Sequence, residues 1–232
     1  QSTSRRQRQM CIRDSINECG ARAVDDHGRL VAELAGLEIA RVDQVVDSAS
    51  NGATDGPVLE VGVGQADREL HQLVHSNLEP DAALRRAAAM VATHRRPGAP
   101  PHPLNRLARE RWIRSLLLDD PSMVGATDLE PVPPLWPRST LLGTQAVAAL
   151  GSTAHGAVVA VCSVGVDLGL VPEAAEYRLR HDASAELVIV IPSRDDYPIT
   201  RQLMTSLANT RLVTITPPWE AEATRGQRDR AG

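Results

Sequence analysis

Lysine and phenylalanine are missing from this chain altogether. Without lysine there is no Walker-type phosphate lysine, no Schiff-base nucleophile and no kinase-type lysine. Both residues have AT-rich codons, so their absence points to a high-GC bacterial gene. Aromatic residues make up 2 % of the chain, which leaves little for stacking nucleic-acid bases. Three cysteines occur, with no CxxC spacing. They read as reduced thiols rather than a disulfide framework or a zinc site, and no metal site is expected. No apolar run approaches the roughly 18 residues of a membrane-spanning helix, so a membrane partner is not expected. The longest run, GAVVAVCSVGV (156–166), carries two glycines and reads as a buried strand with its loop.

The first residues stand apart. RRQRQMCIRDS (5–15) is basic and polar, with no hydrophobic period. Back-translated, Arg5 to Ser15 resembles the transposase adapter used to prepare sequencing libraries. A basic nucleic-acid arm and a targeting peptide compete with that reading, since Arg5, Arg6, Arg8 and Arg13 cluster. The apolar core of a secretory signal and the amphipathic face of a mitochondrial presequence are both lacking. Residues 1–15 are therefore read as a non-native, adapter-derived segment, with the natural N-terminus missing from a metagenomic fragment. The formal charge of −4 becomes −7 once the +3 of that segment is set aside, a moderately acidic chain for a cytoplasmic protein. Its length suits one or two domains with a buried core.

Residues 16–56 read as a truncated leading piece, ending in the turn-rich linker SASNGATDG (48–56). Residues 57–128 read as mainly helical: PVLEVGVG (57–64) is a short strand, and helices are expected at 66–76, 79–95 and 102–121. In the last of these, Leu104, Ala108, Trp112 and Leu116 would face a core, with Arg106, Glu110 and Arg114 opposite. Residues 129–150 read as a Pro-rich connector whose PxxP spacing is commoner in plain linkers than in SH3 ligands. In 151–219, GAVVAVCS, ELVIVIPS and RLVTIT are strand-like and alternate with helices at 171–181 and 198–210. Fully apolar strands in that alternation predict parallel pairing with right-handed crossovers. Residues 220–232 read as a disordered tail. The expected fold class is α/β: a helical segment followed by a small Rossmann-like three-stranded parallel βαβαβ unit.

Several motifs carry chemistry on paper. VLEVGVGQA (58–66) resembles the glycine-rich motif of class I methyltransferases through Glu60, Gly62 and Gly64. Ala66 replaces the third glycine, and no strand follows to present a ribose-binding acid. HQLVH (71–75) places two imidazoles at i and i+4, but Gln72 stands where a zincin has its general-base glutamate. A surface histidine pair is the simpler reading. GVDLGLVP with ELVIVIPSR resembles the core of PD-(D/E)xK nucleases without their lysine and second-strand acid, so a member would have lost its site. Ser163 lies outside any G-x-S-x-G elbow, because Val161 holds the first glycine's place. Cys162 has no histidine clearly beside it to act as base.

Two regions remain as candidate sites. SVGVDLGLVPEAAE (163–176) leaves a strand and enters a helix, the carboxyl edge where open α/β sheets bind ligands. Ser163, Gly165 and Asp167 would face that crevice, joined by Ser193, Asp195 and Asp196 from the next strand and Thr216 and Trp219 from the third. The aspartates would contact hydroxyls or a cation, and the helix starts at Pro172 and Pro198 would offer anion sites. The competing reading is an ordinary crossover with Asp167 capping a turn. Between Arg85 and Arg114 stand eight arginines against Glu110. Arg95, Arg96, Arg106, Arg109 and Arg114 are the candidate anion or nucleic-acid face, against which stands a salt-bridged or solvated surface.

HRRPGAPPHPLNRLARERW and VCSVGVDLGLVPEAAE are similar to a family of uncharacterised actinobacterial proteins, a likeness covering most of 57–219. It implies no activity, and the cofactor is left open. The expectation is a small polar or phosphorylated ligand at the sheet edge. The alternative is a non-enzymatic interaction module that turns the arginine segment toward nucleic acid or an acidic partner.

Overall fold

A computed structural model describes residues 2–44, 57–64, 67–69, 79–136 and 145–220. The expected linker at 48–56, the HQLVH pair, most of the helix at 66–76 and the tail beyond 220 lie outside the described residues. The chain divides into two compact units, 1–92 and 93–232.

In the first unit, helix α1 (Ser2–Glu18) precedes an antiparallel meander of four strands. These are β1 (Arg22–Asp26), β2 (Arg29–Leu34), β3 (Leu37–Gln44) and β4 (Pro57–Val61), ordered as in the sequence. Two-residue loops close the first two hairpins. His27 and Gly28 have φ of 54° and 80°, Ala35 and Gly36 of 47° and 80°, the left-handed pair that a type I′ turn requires. Val24, Val31, Ile39 and Ala40 are buried. Glu38, also buried, accepts from Arg41 Nε and Arg68 Nη1, each at 2.7 Å, so its charge is not left unpaired. Beyond β4, Gly62 has φ 149°, and a Cβ there would lie 2.6 Å from the Arg68 backbone nitrogen. The glycines that resemble a methyltransferase motif thus admit Arg68 at the end of an antiparallel strand.

Helix α2 (Pro80–His94) leads toward the second unit, where a 3-10 turn (Pro103–Arg106) and helix α3 (Arg109–Asp119) come first. Strands β5 (Ala126–Pro131), β6 (Val147–Thr153), β7 (Gly156–Cys162), β8 (Glu186–Pro192) and β9 (Thr210–Ile215) follow, joined in that order in one sheet. The β5–β6 and β6–β7 pairs are antiparallel, while β7–β8 and β8–β9 are parallel. Helices α4 (Leu170–His181) and α5 (Pro198–Met204) lie on the two crossovers.

The expected fold class is corrected by this topology. The molecule is α+β, with a four-stranded antiparallel sheet and a separate five-stranded mixed sheet, in place of an α/β chain ending in a Rossmann-like three-stranded parallel βαβαβ unit. The physical reason is local hairpin closure. Thr153 faces Gly156 in register, so VAALGST folds back on GAVVAVC across Ala154 and His155 and gives β7 an antiparallel neighbour. The Thr153 hydroxyl fixes the turn, donating to Gly156 O and accepting from His155 N, both at 3.1 Å. At β5 a bulge between Ala126 and Asp128 brings the Asp128 carbonyl against Gly151, where a Cβ would meet its carbon at 2.8 Å.

Side chains alternate across this sheet and both faces are covered. Val158, Ala160, Cys162, Val188 and Val190 pack with Ile113 and Leu117 of α3. Val159, Val161, Leu187 and Ile189 pack with Ala174 and Tyr177 of α4 and Met204 of α5. Tyr177 is fully buried, and its hydroxyl accepts from Leu135 N and donates to Ala146 O, both at 3.1 Å.

A single helix over 102–121 with an outward polar face is also corrected. The chain breaks at Ala108, φ 39° and ψ 53°. Beyond it Glu110, Arg111, Trp112, Ile113, Arg114 and Ser115 are all buried, because α3 packs against β5, β6 and β7. No helix among the described residues is long and apolar enough to cross a membrane.

Candidate anion-binding pocket

The carboxyl edge of β7, β8 and β9 carries the residues expected to form a crevice. Its carboxylates are engaged with their own loops. Asp167 Oδ1 accepts from Gly169 N at 2.8 Å beside the start of α4. Asp195 is 6 % exposed, and its Oδ2 accepts from Gly165 N at 2.7 Å, tying the loop after β7 to the end of β8. Asp196 forms a two-pronged ion pair with Arg201, at 2.8 and 2.6 Å. Its carboxyl is held below the usual range, first by that hydrogen bond. Ser193 Oγ donates to Ile215 O at 3.2 Å, and Ser163 is buried with its hydroxyl unpartnered among the described residues. Pro172 sits in the first turn of α4, near Glu173, whose carboxyl is raised by burial and then by Asp167. Helix α5, which starts at Pro198, has seven residues, and its Arg201 is taken by Asp196. Cys162 lies wholly inside the sheet, where burial pushes its thiol up to about 12, so it is no nucleophile at neutral pH.

Beside that edge lies a cavity of about 200 Å³. Arg96, His102, Asn105, Arg106, Arg109 and Trp112 line it, together with Pro218 and Trp219, which follow β9. The segment between α2 and α3 folds this way for local reasons. Pro103 starts the 3-10 turn, His102 Nδ1 accepts from Leu104 N at 3.3 Å, and His102 stacks on His94 at 3.7 Å. The left-handed Ala108 then turns the chain, and Asn105 before it and Arg109 and Trp112 after it all line the cavity.

Trp112 and Trp219 meet with ring centres 5.2 Å apart. Arg95 lies over Trp112 at 4.2 Å and Arg109 over Trp219 at 5.2 Å, so each indole has a guanidinium on its face. Arg109 Nε donates to Asn105 O at 2.9 Å, and Arg96 Nε to Thr93 O at 3.3 Å. Neither they nor Arg106 has a carboxylate within ion-pair distance among the described residues. The nearby acids are held by Arg194, whose Nε is 2.9 Å from Glu220 and 3.6 Å from Asp195. The Arg109 guanidinium is lowered from its ordinary value by burial, then by Arg194, with Arg106 adding to it against Glu220 and Asp195.

Two residues that line the cavity also carry a buried polar atom with no protein partner among the described residues. Asn105, 8 % exposed, carries a buried Oδ1 that accepts no hydrogen bond, and Trp219 Nε1 is a buried donor without an acceptor. Buried polar atoms are nearly always satisfied in folded proteins. Both atoms belong to residues that line the cavity, so a hydrogen-bonding ligand is one group that would satisfy them.

Of the expected arginine face, the structure brings Arg96, Arg106 and Arg109 to this pocket. Arg95 is turned inward over Trp112, and Arg114 lies 2 % exposed with Nη1 donating to Val132 O at 3.2 Å. His102 and Asn105 were missed in the sequence. The signal available for them was position alone, inside the Pro-rich loop between two arginine clusters. Among the described residues no group of three or more His, Cys, Asp or Glu converges to hold a metal. Comparison with protein-family models, curated proteins and solved structures found no match for the chain, so its functional reading rests on this geometry.

Proposed function

We propose that the second unit binds a small phosphorylated or otherwise anionic ligand in the Arg96–Arg106–Arg109 pocket, beside the carboxyl edge of the parallel strands. One observation carries the reading: three guanidiniums converge on one cavity with no carboxylate paired to any of them among the described residues. Guanidinium is protonated at any physiological pH and matches the two-oxygen geometry of phosphate and carboxylate. An anion seated there would offset the burial, and after it the Arg194 and Arg106 charges, that disfavour the Arg109 cation.

A nucleic-acid interface using the whole arginine segment has less support. Arg95, Arg111 and Arg114 are buried rather than presented along a surface. A phosphate backbone needs a continuous row of exposed cations.

The test is thermal denaturation of the full chain in inorganic phosphate, beside Arg109→Met. Phosphate at roughly a hundred times its Kd adds about 2.7 kcal/mol to the native state, several degrees for a chain of this size. Removing one charge-assisted hydrogen bond weakens binding about 10- to 100-fold, so the variant should respond only at far higher phosphate. No shift in the parent chain, or an equal shift in both, refutes the reading.

A further inference from the structure

Resting on the reading of this pocket as an anion site, we propose that its ligand is a hydroxylated phosphate ester, a sugar monophosphate in chemical class. Its phosphate sits among Arg96, Arg106 and Arg109, and its hydroxylated body lies against Asn105 and Trp219.

The guanidiniums account for the anion but not for the two unsatisfied atoms. Asn105 Oδ1 is an acceptor, and the dianion of a phosphate monoester offers only acceptors, so the phosphate group seated among the arginines leaves it unpaired. Trp219 Nε1 is a donor and needs the opposite. A hydroxyl is the neutral group that serves both, donating through its hydrogen and accepting through its oxygen. Pro218 and Ala99 supply apolar wall beside these polar atoms, a surface suited to the C–H faces of a sugar ring.

Size and ring placement separate this class from a nucleotide. A cavity of about 200 Å³ lies below the roughly 300–1,000 Å³ of sites that enclose larger organic ligands. The ring faces that a base would need are partly occupied: Arg95 covers Trp112, Arg109 covers Trp219, and the two indoles meet each other at 5.2 Å.

The experiment is isothermal titration of the full chain with inorganic phosphate, ribose 5-phosphate and adenosine monophosphate, repeated on Asn105→Ala. Ribose 5-phosphate should bind about 5- to 100-fold tighter than inorganic phosphate, the increment of two satisfied hydrogen bonds. In Asn105→Ala that advantage should narrow to the share of the Trp219 hydrogen bond, about 2- to 10-fold, while inorganic phosphate binds as before, which also reports that the variant is folded. Where Asn105→Ala loses inorganic phosphate as well, Trp219→Phe decides instead, since it keeps a ring and deletes the Nε1 donor, and it should narrow the same gap. Equal binding of inorganic phosphate and ribose 5-phosphate overturns the sugar assignment and leaves the anion site standing. Tighter binding of the nucleotide than of ribose 5-phosphate overturns it in favour of base recognition. Failure of all three ligands overturns the anion site too.

Discussion

Removing one oxygen atom from the core should measurably weaken the second unit. Tyr177 carries the hydroxyl that accepts from Leu135 N and donates to Ala146 O, while its ring packs with the apolar side chains of one sheet face. Tyr177→Phe keeps the ring and strands a buried N–H and a buried carbonyl. Each stranded group costs about 1–3 kcal/mol, less when the backbone relaxes to share partners, so the sum is about 2–4 kcal/mol. For a chain of 232 residues, at about 2–4 °C per kcal/mol, the melting temperature should fall by roughly 4–16 °C. Circular dichroism through a thermal ramp measures it. The same hydroxyl gives an independent alkaline signature. Burial raises its ionisation from 10.0 to about 12, so the folded protein holds a proton that the unfolded chain has released between those values. Tyr177 therefore stabilises fully below pH 10, and about 2–3 kcal/mol is lost as pH climbs from 10 to 12. Tyr177→Phe should flatten that alkaline limb. A melting temperature within about a degree of the parent's, with the limb unchanged, refutes the hydrogen-bonding account.

Gly151→Ala drives a methyl group into the Asp128 carbonyl at the β5 bulge, so it should destabilise the second unit by at least the roughly 1–3 kcal/mol of an overpacked site, read by urea denaturation. Among the three cysteines, Cys11 is exposed and Cys162 fully buried. A thiol reagent at neutral pH should label Cys11 quickly and leave Cys162 unmodified until denaturant is added, as mass spectrometry would show; rapid native labelling of Cys162 would contradict its placement inside the sheet.

Strong local patterns were legible in the sequence. ELVIVIP is an apolar, β-branched run bounded by polar residues, and β8 occupies 186–192 within it. RLVTI and GAVVAVC lie inside β9 and β7 for the same reason. Weaker patterns were readable but easily passed over. Histidine–glycine at 27–28 and alanine–glycine at 35–36 each separate short alternating runs, and both close hairpins. VAAL, the first part of β6, falls within the connector expected at 129–150, because the prolines earlier in that stretch dominate its composition. Nothing within it announces the antiparallel partner that makes it a strand. The break at Ala108 was hidden as well, since alanine is a strong helix former and tertiary packing overrides it.

The site shows a similar division. An excess of arginine is visible as composition, but which cations turn inward depends on where α3 meets the sheet. Arg114 reaches the Val132 carbonyl, 18 positions on, whereas Arg109 reaches the cavity. Five residues apart on one helix, they differ in surroundings that spacing alone does not reveal. The sheet-edge aspartates were visible too, but their hydrogen bonds to Gly169 and Gly165 and the Arg201 ion pair depend on loop geometry.

The pair of indoles at the cavity, each capped by a guanidinium, has an optical consequence. The chain holds three tryptophans, and two of them, Trp112 and Trp219, belong to this stack, while Trp136 stands 57 % exposed beside Arg180. Most of the native emission therefore originates in the pocket or at one solvated side chain. Iodide, an anionic quencher, is drawn toward uncompensated arginines and away from acidic surface. In this acidic protein it should quench the partly buried Trp219 more efficiently than neutral acrylamide does, and a seated anion should abolish the difference. The stack that shapes the cavity thus doubles as its own occupancy gauge, with no label added.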